Sequence, residues 1–327
     1  MEEPLPRYWG QDLGRAEREV RRHLYVVNGK RRRRPSWREL PEELLAPRVL
    51  VRSGLFTRTS SREAQLGVER TVPNGTSFFR GVPLRWWDLR ALLAICAQSG
   101  NDGAAEMPPT RLLRSIGQGP SVRGLERARD SLQRLCSARI AFDLAGFGRV
   151  GERGRLERFL DEGEDHLYTL RPWLRQAYGA RGEPRLSWPL LCKLQKGAFL
   201  LYLLLESEDW RTSELEDDPI DPTLGKCRSR VLILGAPMLT VLDMAHLADR
   251  QTQVRTLRRA LGQIQGRDLR YRAYRIGRRR DDVPMVRIWR QDAPLRRENL
   301  YLGRLCSACY RPDPNKLCCC RQPRRCG

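Results

Sequence analysis

One spacing of apolar residues occurs twice in this chain, and it constrains the fold more than any other feature. Both sets follow the steps i, i+3, i+7 and i+10, which place apolar side chains on one face of an α-helix. The first set is Leu125, Ala128, Leu132 and Leu135. The second set is Val254, Leu257, Leu261 and Ile264. The sequence therefore predicts two amphipathic helices with the same pattern of burial.

Each of these two helices has the same neighbours along the chain. A short apolar helix is predicted before each, at residues 110–116 and 239–247, and a strand-like segment follows each. Ser121 is suited to cap the N-terminus of the first amphipathic helix. Helix, tight connection, helix and β-ribbon is the order of a winged helix-turn-helix. We therefore predict an α+β fold with two winged helix-turn-helix domains in tandem.

Changes in composition divide the chain into four predicted parts. Residues 1–46 form a basic N-terminal arm, whose run Lys30–Arg34 is too charged to be buried. The first winged-helix domain is predicted over residues 47–180 and the second over residues 181–298. Residues 299–327 form a tail rich in cysteine and arginine.

Within the first predicted domain, residues 49–57 have the composition of a strand, and residues 84–96 that of an apolar helix. Alternating apolar residues at 140–144 predict one strand of a wing. Residues 167–170 are the predicted return strand.

The second predicted domain repeats this order. Residues 188–207 predict one long apolar helix, and the acidic, proline-containing segment 214–222 predicts a loop. Alternating residues at 269–273 and 286–288 predict the two strands of a second wing. The tip between them, residues 277–282, is polar and basic.

The charge of the chain favours a polyanionic partner. Its 61 basic and 39 acidic residues give a net charge of +22, and only five of the basic residues are lysines. The planar guanidinium of arginine can bond bidentately to phosphate, so this balance points to nucleic acid. The simpler alternative is a solvated basic surface.

Nothing in the sequence predicts a targeting signal or a membrane span. The chain begins with Glu2 and Glu3 and has no apolar run near its start. The most apolar segment, residues 198–205, is too short to cross a bilayer. We expect a cytoplasmic protein with no membrane partner.

An ordered series of segments resembles the TrfA-type plasmid replication initiators. The series is Arg52-Ser53-Gly54-Leu55-Phe56-Thr57, Gly81-Val82-Pro83-Leu84, Leu132-Gln133-Arg134-Leu135 before Ile140-Ala141-Phe142, Trp188 with the apolar helix after it, and Arg258-Arg259-Ala260-Leu261. The resemblance covers residues 47–276. It implies two winged-helix domains that bind direct repeats (iterons) in double-stranded DNA at a plasmid origin, and a monomer–dimer equilibrium. It also implies origin opening, recruitment of the host initiator and replicative helicase, and no catalytic activity.

Residues that contact DNA are predicted on the exposed face of each amphipathic helix, since the N-terminal part of a recognition helix meets base edges. For the second helix they are Gln251, Thr252, Gln253, Arg255, Thr256, Arg258, Arg259 and Gln263, and for its wing they are Arg278, Arg279 and Arg280. For the first helix they are Arg123, Arg127 and Arg134. Glutamine can bond adenine and arginine can bond guanine bidentately.

The two helices differ in charge at matching positions. Arg255, Arg258 and Arg259 of the second align with Glu126, Arg129 and Asp130 of the first. We expect the second domain to recognise DNA sequence more strongly and the first to supply phosphate contacts. Under the alternative reading, these arginines only keep an exposed face solvated.

The sequence offers no constellation for catalysis, so we expect a protein that is not an enzyme and needs no cofactor. Its three histidines are far apart and lack partners for a metal site or a catalytic triad. The one weak metal candidate lies in the tail, where Cys306, Cys309, Cys318 and Cys320 could hold zinc. A disordered basic tail is the alternative there.

Two other functions use the same features. A winged-helix transcriptional regulator would bind DNA through the same residues and would normally add an effector pocket or a dimerisation helix. An adaptor would use the folded units to bind protein. The DNA beside the gene separates the three functions. Several spaced direct repeats favour the initiator, one palindrome favours the regulator, and no repeat together with salt-insensitive DNA binding favours the adaptor.

Overall fold

The structure, a computed structural model, describes residues 43–56, 67–179, 183–220, 225–247, 249–278 and 283–291. Contacts divide the chain into two compact units. The first comprises Met1–Glu69 and Asn74–Cys192, and the second comprises Arg70–Pro73 and Lys193–Gly327. Their main boundary therefore falls C-terminal to the one predicted at 180/181. Nearly all of the basic arm, and the whole tail, lie outside the described residues.

The first unit mixes short strands with helices. Its strands are β1 (Glu43–Leu45), β2 (Val68–Val72, which crosses the unit boundary), β3 (Gly75–Arg80), β4 (Ala104–Glu106), β5 (Arg139–Leu144), β6 (Gly148–Val150), β7 (Leu160–Glu162), β8 (Leu167–Leu170) and β9 (Arg185–Ser187). Its helices are α1 (Arg48–Arg52), α2 (Trp86–Gln98), α3 (Pro109–Ser115), α4 (Val122–Ser137), α5 (Pro172–Tyr178) and α6 (Trp188–Lys193), with a 3-10 turn at Glu164–His166.

In the segment predicted as a strand at 49–57, residues 49–52 belong to the short helix α1 and residues 53–56 form turns. Val49, Leu50 and Val51 are all buried. Three consecutive buried side chains do not fit the two-sided alternation of a half-buried strand. The strand prediction was wrong because it used composition without this alternation.

Helices α3 and α4 confirm the predicted helix pair. Ser121 caps α4, as predicted, by accepting a hydrogen bond from the Gly124 amide at 3.1 Å. All four predicted apolar positions of α4 are buried. They pack near α2, in which every residue from Trp87 to Cys96 is buried.

The first wing was predicted with the wrong pair of strands. β5 pairs with β3 and β6, whereas β8 pairs with β4 and β7. β7 and β8 are joined by a short turn, so β7 is a nearer hairpin partner for β8 than β5 is. Strands β4, β8 and β7 form a three-stranded antiparallel sheet in that order.

The second unit contains a four-stranded antiparallel sheet and three helices among its described residues. Its elements are α7 (Lys196–Glu206), a 3-10 turn (Trp210–Thr212), β10 (Glu214–Asp217), β11 (Lys226–Ile233), α8 (Ala236–Val241), α9 (Arg250–Gln265), β12 (Tyr271–Arg278) and β13 (Pro284–Arg290). The order of strands in the sheet is β10-β11-β13-β12.

Three predictions for this part of the chain are corrected. The short helix predicted at 239–247 is instead α8, Ala236–Val241, and residues 242–247 form turns and irregular structure. The single helix predicted over 188–207 is broken between Lys193 and Lys196 into α6 and α7. The predicted acidic loop includes a strand, β10, in which Glu216 accepts hydrogen bonds from the Ser229 hydroxyl and the Trp289 indole, both at 2.7 Å. These partners lie on strands β11 and β13, far away in sequence, so the local composition does not reveal them.

The two units share one order of elements. Each has a helix, a strand, two helices and then two strands: α2, β4, α3, α4, β7 and β8 in the first, and α7, β11, α8, α9, β12 and β13 in the second. In both, the strand before the helix pair lies next to the last strand of the hairpin. The chain is therefore an α+β protein with an internally repeated topology, in which β5 and β6 are additions in the first unit and β10 is an addition in the second.

Candidate nucleic-acid interface

Helix α9 has a well-defined start. Asp249 precedes it, and its carboxylate accepts hydrogen bonds from the Thr252 amide at 2.7 Å and the Thr252 hydroxyl at 2.6 Å. These two bonds hold the pKa of Asp249 below its ordinary value, and the bond from the hydroxyl has the larger effect. An ionised carboxylate at this position stabilises the helix N-terminus. Thr252, predicted to contact DNA, therefore has a capping role in the structure.

One face of α9 is buried. Leu257, Leu261 and Ile264 are buried as predicted, and Ala260 joins them. This face packs against α7. Val254, predicted to be buried with them, is only half-buried and lies at the margin of the apolar face.

The opposite face of α9 is basic. Arg255, Arg258 and Arg259 are all exposed, as predicted. The helix contains no aspartate or glutamate between its first and last residues. Arg250, in the first turn, is a further exposed arginine that the sequence reasoning missed because it precedes the apolar repeat. The helix thus presents four cations without a carboxylate of its own.

Two of the predicted glutamines are bonded to the protein itself. The Gln253 side-chain amide donates to the Leu247 carbonyl at 3.3 Å. The Gln263 side-chain amide donates to the Gln195 side-chain oxygen at 3.1 Å. Gln251 is exposed, so it is the predicted glutamine best placed to meet a base edge.

A groove runs beside the N-terminal half of α9. It has a volume of about 350 Å³ and lies between α9 and β12. Its lining residues are Arg250, Gln251, Val254, Arg255, Arg258, Ile276 and Gly277. On the β12 side, the Tyr274 hydroxyl donates to the Arg258 carbonyl at 3.4 Å. Burial raises the pKa of Tyr274, so this hydroxyl stays protonated at neutral pH.

The hairpin of β12 and β13 matches the predicted second wing. Its strands pair antiparallel up to Gly277 with Met285 and Arg278 with Pro284. Arg278 ends β12. The side chain of Arg278, and the whole of Arg279 and Arg280, lie outside the described residues.

A buried polar cluster holds the C-terminal end of α9 in place. Arg270 donates to Glu206 at 3.1 Å and to Asp268 at 2.6 Å, which ties the turn after α9 to α7. The Tyr202 hydroxyl donates to Asp268 at 3.1 Å, and the Tyr271 hydroxyl to Glu206 at 2.7 Å. Burial raises the pKa of both tyrosines well above the ordinary value, so they remain donors. The direction of α9 is therefore fixed by several charge-assisted bonds.

The matching helix of the first unit, α4, has a mixed exposed face. Arg123 and Arg127 are exposed as predicted, and so are Glu126 and Asp130. The Arg127 guanidinium also lies 5.0 Å from the centre of the Trp87 ring, a cation–π contact. Its charge is therefore partly engaged by the protein.

Arg134 has a structural role in α4, contrary to the predicted phosphate contact. Its Nε and Nη2 donate to the Asp88 carboxylate at 3.0 and 2.8 Å. Asp88 is fully buried and also accepts from the Ser131 hydroxyl at 2.6 Å and the Arg85 amide at 2.8 Å. A guanidinium bonded in this way to a buried carboxylate stabilises the fold, so Arg134 is left out of the candidate interface.

Other kinds of site receive no support from the described part of the chain. Its histidines, cysteines, aspartates and glutamates form no group of three or more that could hold a metal ion. Cys306, Cys309, Cys318 and Cys320, the predicted zinc candidates, lie outside it. Over the same residues, no helix combines the length and apolar character needed to span a membrane.

Comparison with known proteins adds a limited structural similarity. No protein-family model and no curated protein matches the chain. It is similar to domains 2 and 3 of RctB in a crystal structure of selenomethionine derivatives, with a TM-score of 0.47 and 15% sequence identity. The match covers 76% of this chain and 100% of that chain. A second crystal structure of RctB domains 2-3 gives a TM-score of 0.44 and 14% identity over 74% of this chain and 96% of that chain. At such values the function has to be inferred from the residues themselves.

Proposed function

We propose that this protein binds double-stranded DNA and acts as a plasmid replication initiator that recognises direct repeats (iterons) at an origin. In this proposal the two units are winged helix-turn-helix domains, and α9 is the recognition helix of the second. The shared order of helices and strands in the two units supports this assignment. The sequence resemblance to TrfA-type initiators supports the link to replication.

One observation carries the proposal. Helix α9 has a buried apolar face, and its opposite face presents Arg255, Arg258 and Arg259 with no carboxylate along the helix. A fixed, one-sided row of cations on a helix of this diameter suits the major groove of B-DNA. In a chain of net charge +22, the long-range field also favours approach to a polyanion.

The roles within α9 follow from position. Gln251, Arg255 and Arg259 are exposed on the N-terminal and central turns, where a recognition helix meets base edges. A bidentate contact of arginine with guanine, or of glutamine with adenine, contributes about 1–3 kcal/mol of discrimination. The first unit adds weaker phosphate contacts through Arg123 and Arg127.

As an initiator, the protein would open the origin and bring in the host initiator and replicative helicase, as the resemblance implies. We propose no catalytic step and no cofactor for this chain. A monomer–dimer equilibrium, with monomers as the binding species, is part of the same proposal.

Selection of bound duplexes from a random pool tests DNA recognition directly. We expect one short sequence to be enriched, and arrays of its direct repeat to be bound more tightly than one copy. If six to ten phosphates are contacted, affinity falls about 10³- to 10⁵-fold between 50 and 200 mM salt. A plasmid that carries the repeats and lacks its own initiator should replicate only when the chain is supplied.

The same experiment separates the alternatives. Enrichment of a single palindrome that supports no replication would indicate a transcriptional regulator. Salt-insensitive binding without sequence preference would contradict DNA recognition and indicate an adaptor for protein.

A further inference from the structure

The groove between α9 and β12 is not explained by contacts to base edges. Side chains that enter the major groove must project from the outward face of α9, as Arg259 does. The groove beside β12 is lined from α9 by Arg250, Gln251, Val254, Arg255 and Arg258 and from β12 by Ile276 and Gly277, whereas Arg259 does not line it. The groove therefore shares Gln251 and Arg255 with the face proposed to meet base edges, and it adds Val254, Ile276 and Gly277, which that role does not use.

The lining of the groove combines an apolar floor with a basic rim. Val254 and Ile276 are half-buried and apolar, and Gly277 has no side chain, so this part of the wall offers carbon and backbone atoms. Arg258 stands at the rim, where it is exposed and has no ion-pair partner among the described residues. A matching ligand is apolar on one side and anionic on the other. A deoxyribose with its phosphate has this character, whereas a thymine methyl group is apolar only.

The dimensions of DNA place such a group there. The major groove is about 12 Å wide and an α-helix with side chains is about 10–12 Å in diameter, so a recognition helix nearly fills the groove. The two sugar–phosphate strands that border the major groove must then run along the two sides of the helix. One of those sides, in α9, is the groove next to β12.

We propose that this groove binds one sugar–phosphate strand of duplex DNA. The Arg258 guanidinium bonds to a phosphate, and Val254 and Ile276 pack against the deoxyribose. The inference rests on the proposed function, because it requires α9 to occupy the major groove. It changes the role of Arg258, which the sequence placed among the base-contacting residues. Arg259 keeps that role, since it does not line the groove.

Two single substitutions with the same change of charge test the assignment. Arg258→Gln and Arg259→Gln alter neighbouring exposed residues on different sides of α9, so neither is expected to unfold the unit. Affinity is measured by fluorescence anisotropy for the selected duplex and for a random duplex over a series of salt concentrations. Circular dichroism confirms the fold of each variant.

We expect Arg258→Gln to weaken both duplexes by a similar factor and to reduce the slope of log affinity against log salt by about 0.9, the loss of one phosphate contact. Arg259→Gln should lower the ratio of specific to random affinity by about tenfold, as loss of a base contact does. Ethylation of the phosphate that Arg258 contacts should weaken binding of the wild type. The same ethylation should have no effect on binding of Arg258→Gln.

Substitution of the groove floor gives an independent test. Val254→Glu places a carboxylate next to the proposed phosphate, whereas Val254→Gln has a similar shape without charge. We expect the glutamate variant to lose at least about tenfold more affinity than the glutamine variant on both duplexes, because it adds a like charge at short range.

The outcomes separate this inference from the proposed function. If the wild type shows no salt-dependent binding of duplex DNA, the proposed function fails. Two results would contradict the sugar–phosphate site in the groove even if the wild type binds DNA. One is that Arg258→Gln loses sequence discrimination as Arg259→Gln does, and the other is that it keeps the full salt slope. Binding of deoxynucleoside monophosphates in the groove, with DNA affinity unaffected by Val254→Glu, would also overturn it and indicate a small nucleotide ligand.

Discussion

Helices α4 and α9 occupy equivalent places in the two units, yet they present different surfaces. Both are 16 residues long, both begin after a side-chain oxygen cap, and both bury apolar residues at matching positions. On the exposed side, α4 places Glu126 and Asp130 among its arginines, while α9 has no carboxylate at all. A repeated fold therefore repeats the buried face of a helix and leaves the exposed face free to differ.

The hairpins of the two units also differ in charge. The turn between β7 and β8 in the first unit carries exposed Glu164 and Asp165, and the tip between β12 and β13 in the second carries Arg278, Arg279 and Arg280 together with Asp281 and Asp282 in its sequence, so the first is acidic and the second keeps one net positive charge. Helix and hairpin thus agree within each unit. We infer that the second unit dominates DNA binding and that the first is a weaker contributor.

The largest expected effect concerns Arg134, a predicted DNA contact that the structure pairs with a buried carboxylate. Arg134→Ala would leave the buried carboxylate of Asp88 without its cation, which costs about 3–5 kcal/mol of unfolding free energy. Chemical denaturation of the variant measures this loss. The salt dependence of DNA binding, measured where the variant is folded, should not change. A reduced salt slope with unchanged stability would return Arg134 to the DNA interface.

The next effect compares the two helices directly. Arg255, Arg258 and Arg259 are changed together to glutamine in one variant, and Arg123, Arg127 and Arg129 in the other. The α9 variant should lose at least about 100-fold in affinity for the selected duplex at moderate salt, since each good arginine contact contributes about 1–3 kcal/mol. The α4 variant should lose much less. Anisotropy titrations measure both, and equal losses would remove the asymmetry between the units.

A smaller effect is expected when α4 is given the charges of α9. Glu126→Arg with Asp130→Arg replaces two carboxylates by cations at positions that match Arg255 and Arg259. Affinity for random duplexes should rise about three- to tenfold, and the salt slope should steepen. Glu126→Gln with Asp130→Asn is the neutral control. No gain for the arginine variant over this control would show that α4 does not approach DNA.

The smallest effect concerns the acidic hairpin of the first unit. Asp165 has a positive φ of 51°, a conformation that asparagine also tolerates, so Asp165→Asn preserves the turn. Combined with Glu164→Gln, it should raise affinity for random duplexes by about two- to threefold at low salt, with the gain screened at higher salt. A loss of affinity instead would mean that the acidic turn supports binding.

The sequence predicted those features that depend on local periodicity. The lengths and buried faces of α4 and α9, the cap at Ser121 and the strands of the second hairpin all follow from residues close together in the chain. The exposed arginines of α9 were predicted for the same reason, since they are the residues left after the apolar repeat is assigned to the core.

Features set by long-range pairing could not be predicted in this way. The bond between Arg134 and Asp88 joins different helices, so a cation predicted to contact phosphate is paired within the protein. The groove needs Ile276 from β12 beside Val254 from α9, and no periodicity within either segment shows that they meet. β7 and β10 are short strands whose partners, rather than their own composition, define them.

Arginine modification of the intact chain tests the asymmetry between the units most directly. Phenylglyoxal modification of exposed arginines, followed by mass spectrometry, compares each residue with and without the selected duplex. We predict that DNA slows modification of Arg255, Arg258 and Arg259 by more than about tenfold and of Arg123 and Arg127 by much less, because contact with phosphate or base edges covers the guanidinium. Equal protection in both helices, or protection of Arg123 and Arg127 alone, would contradict the account.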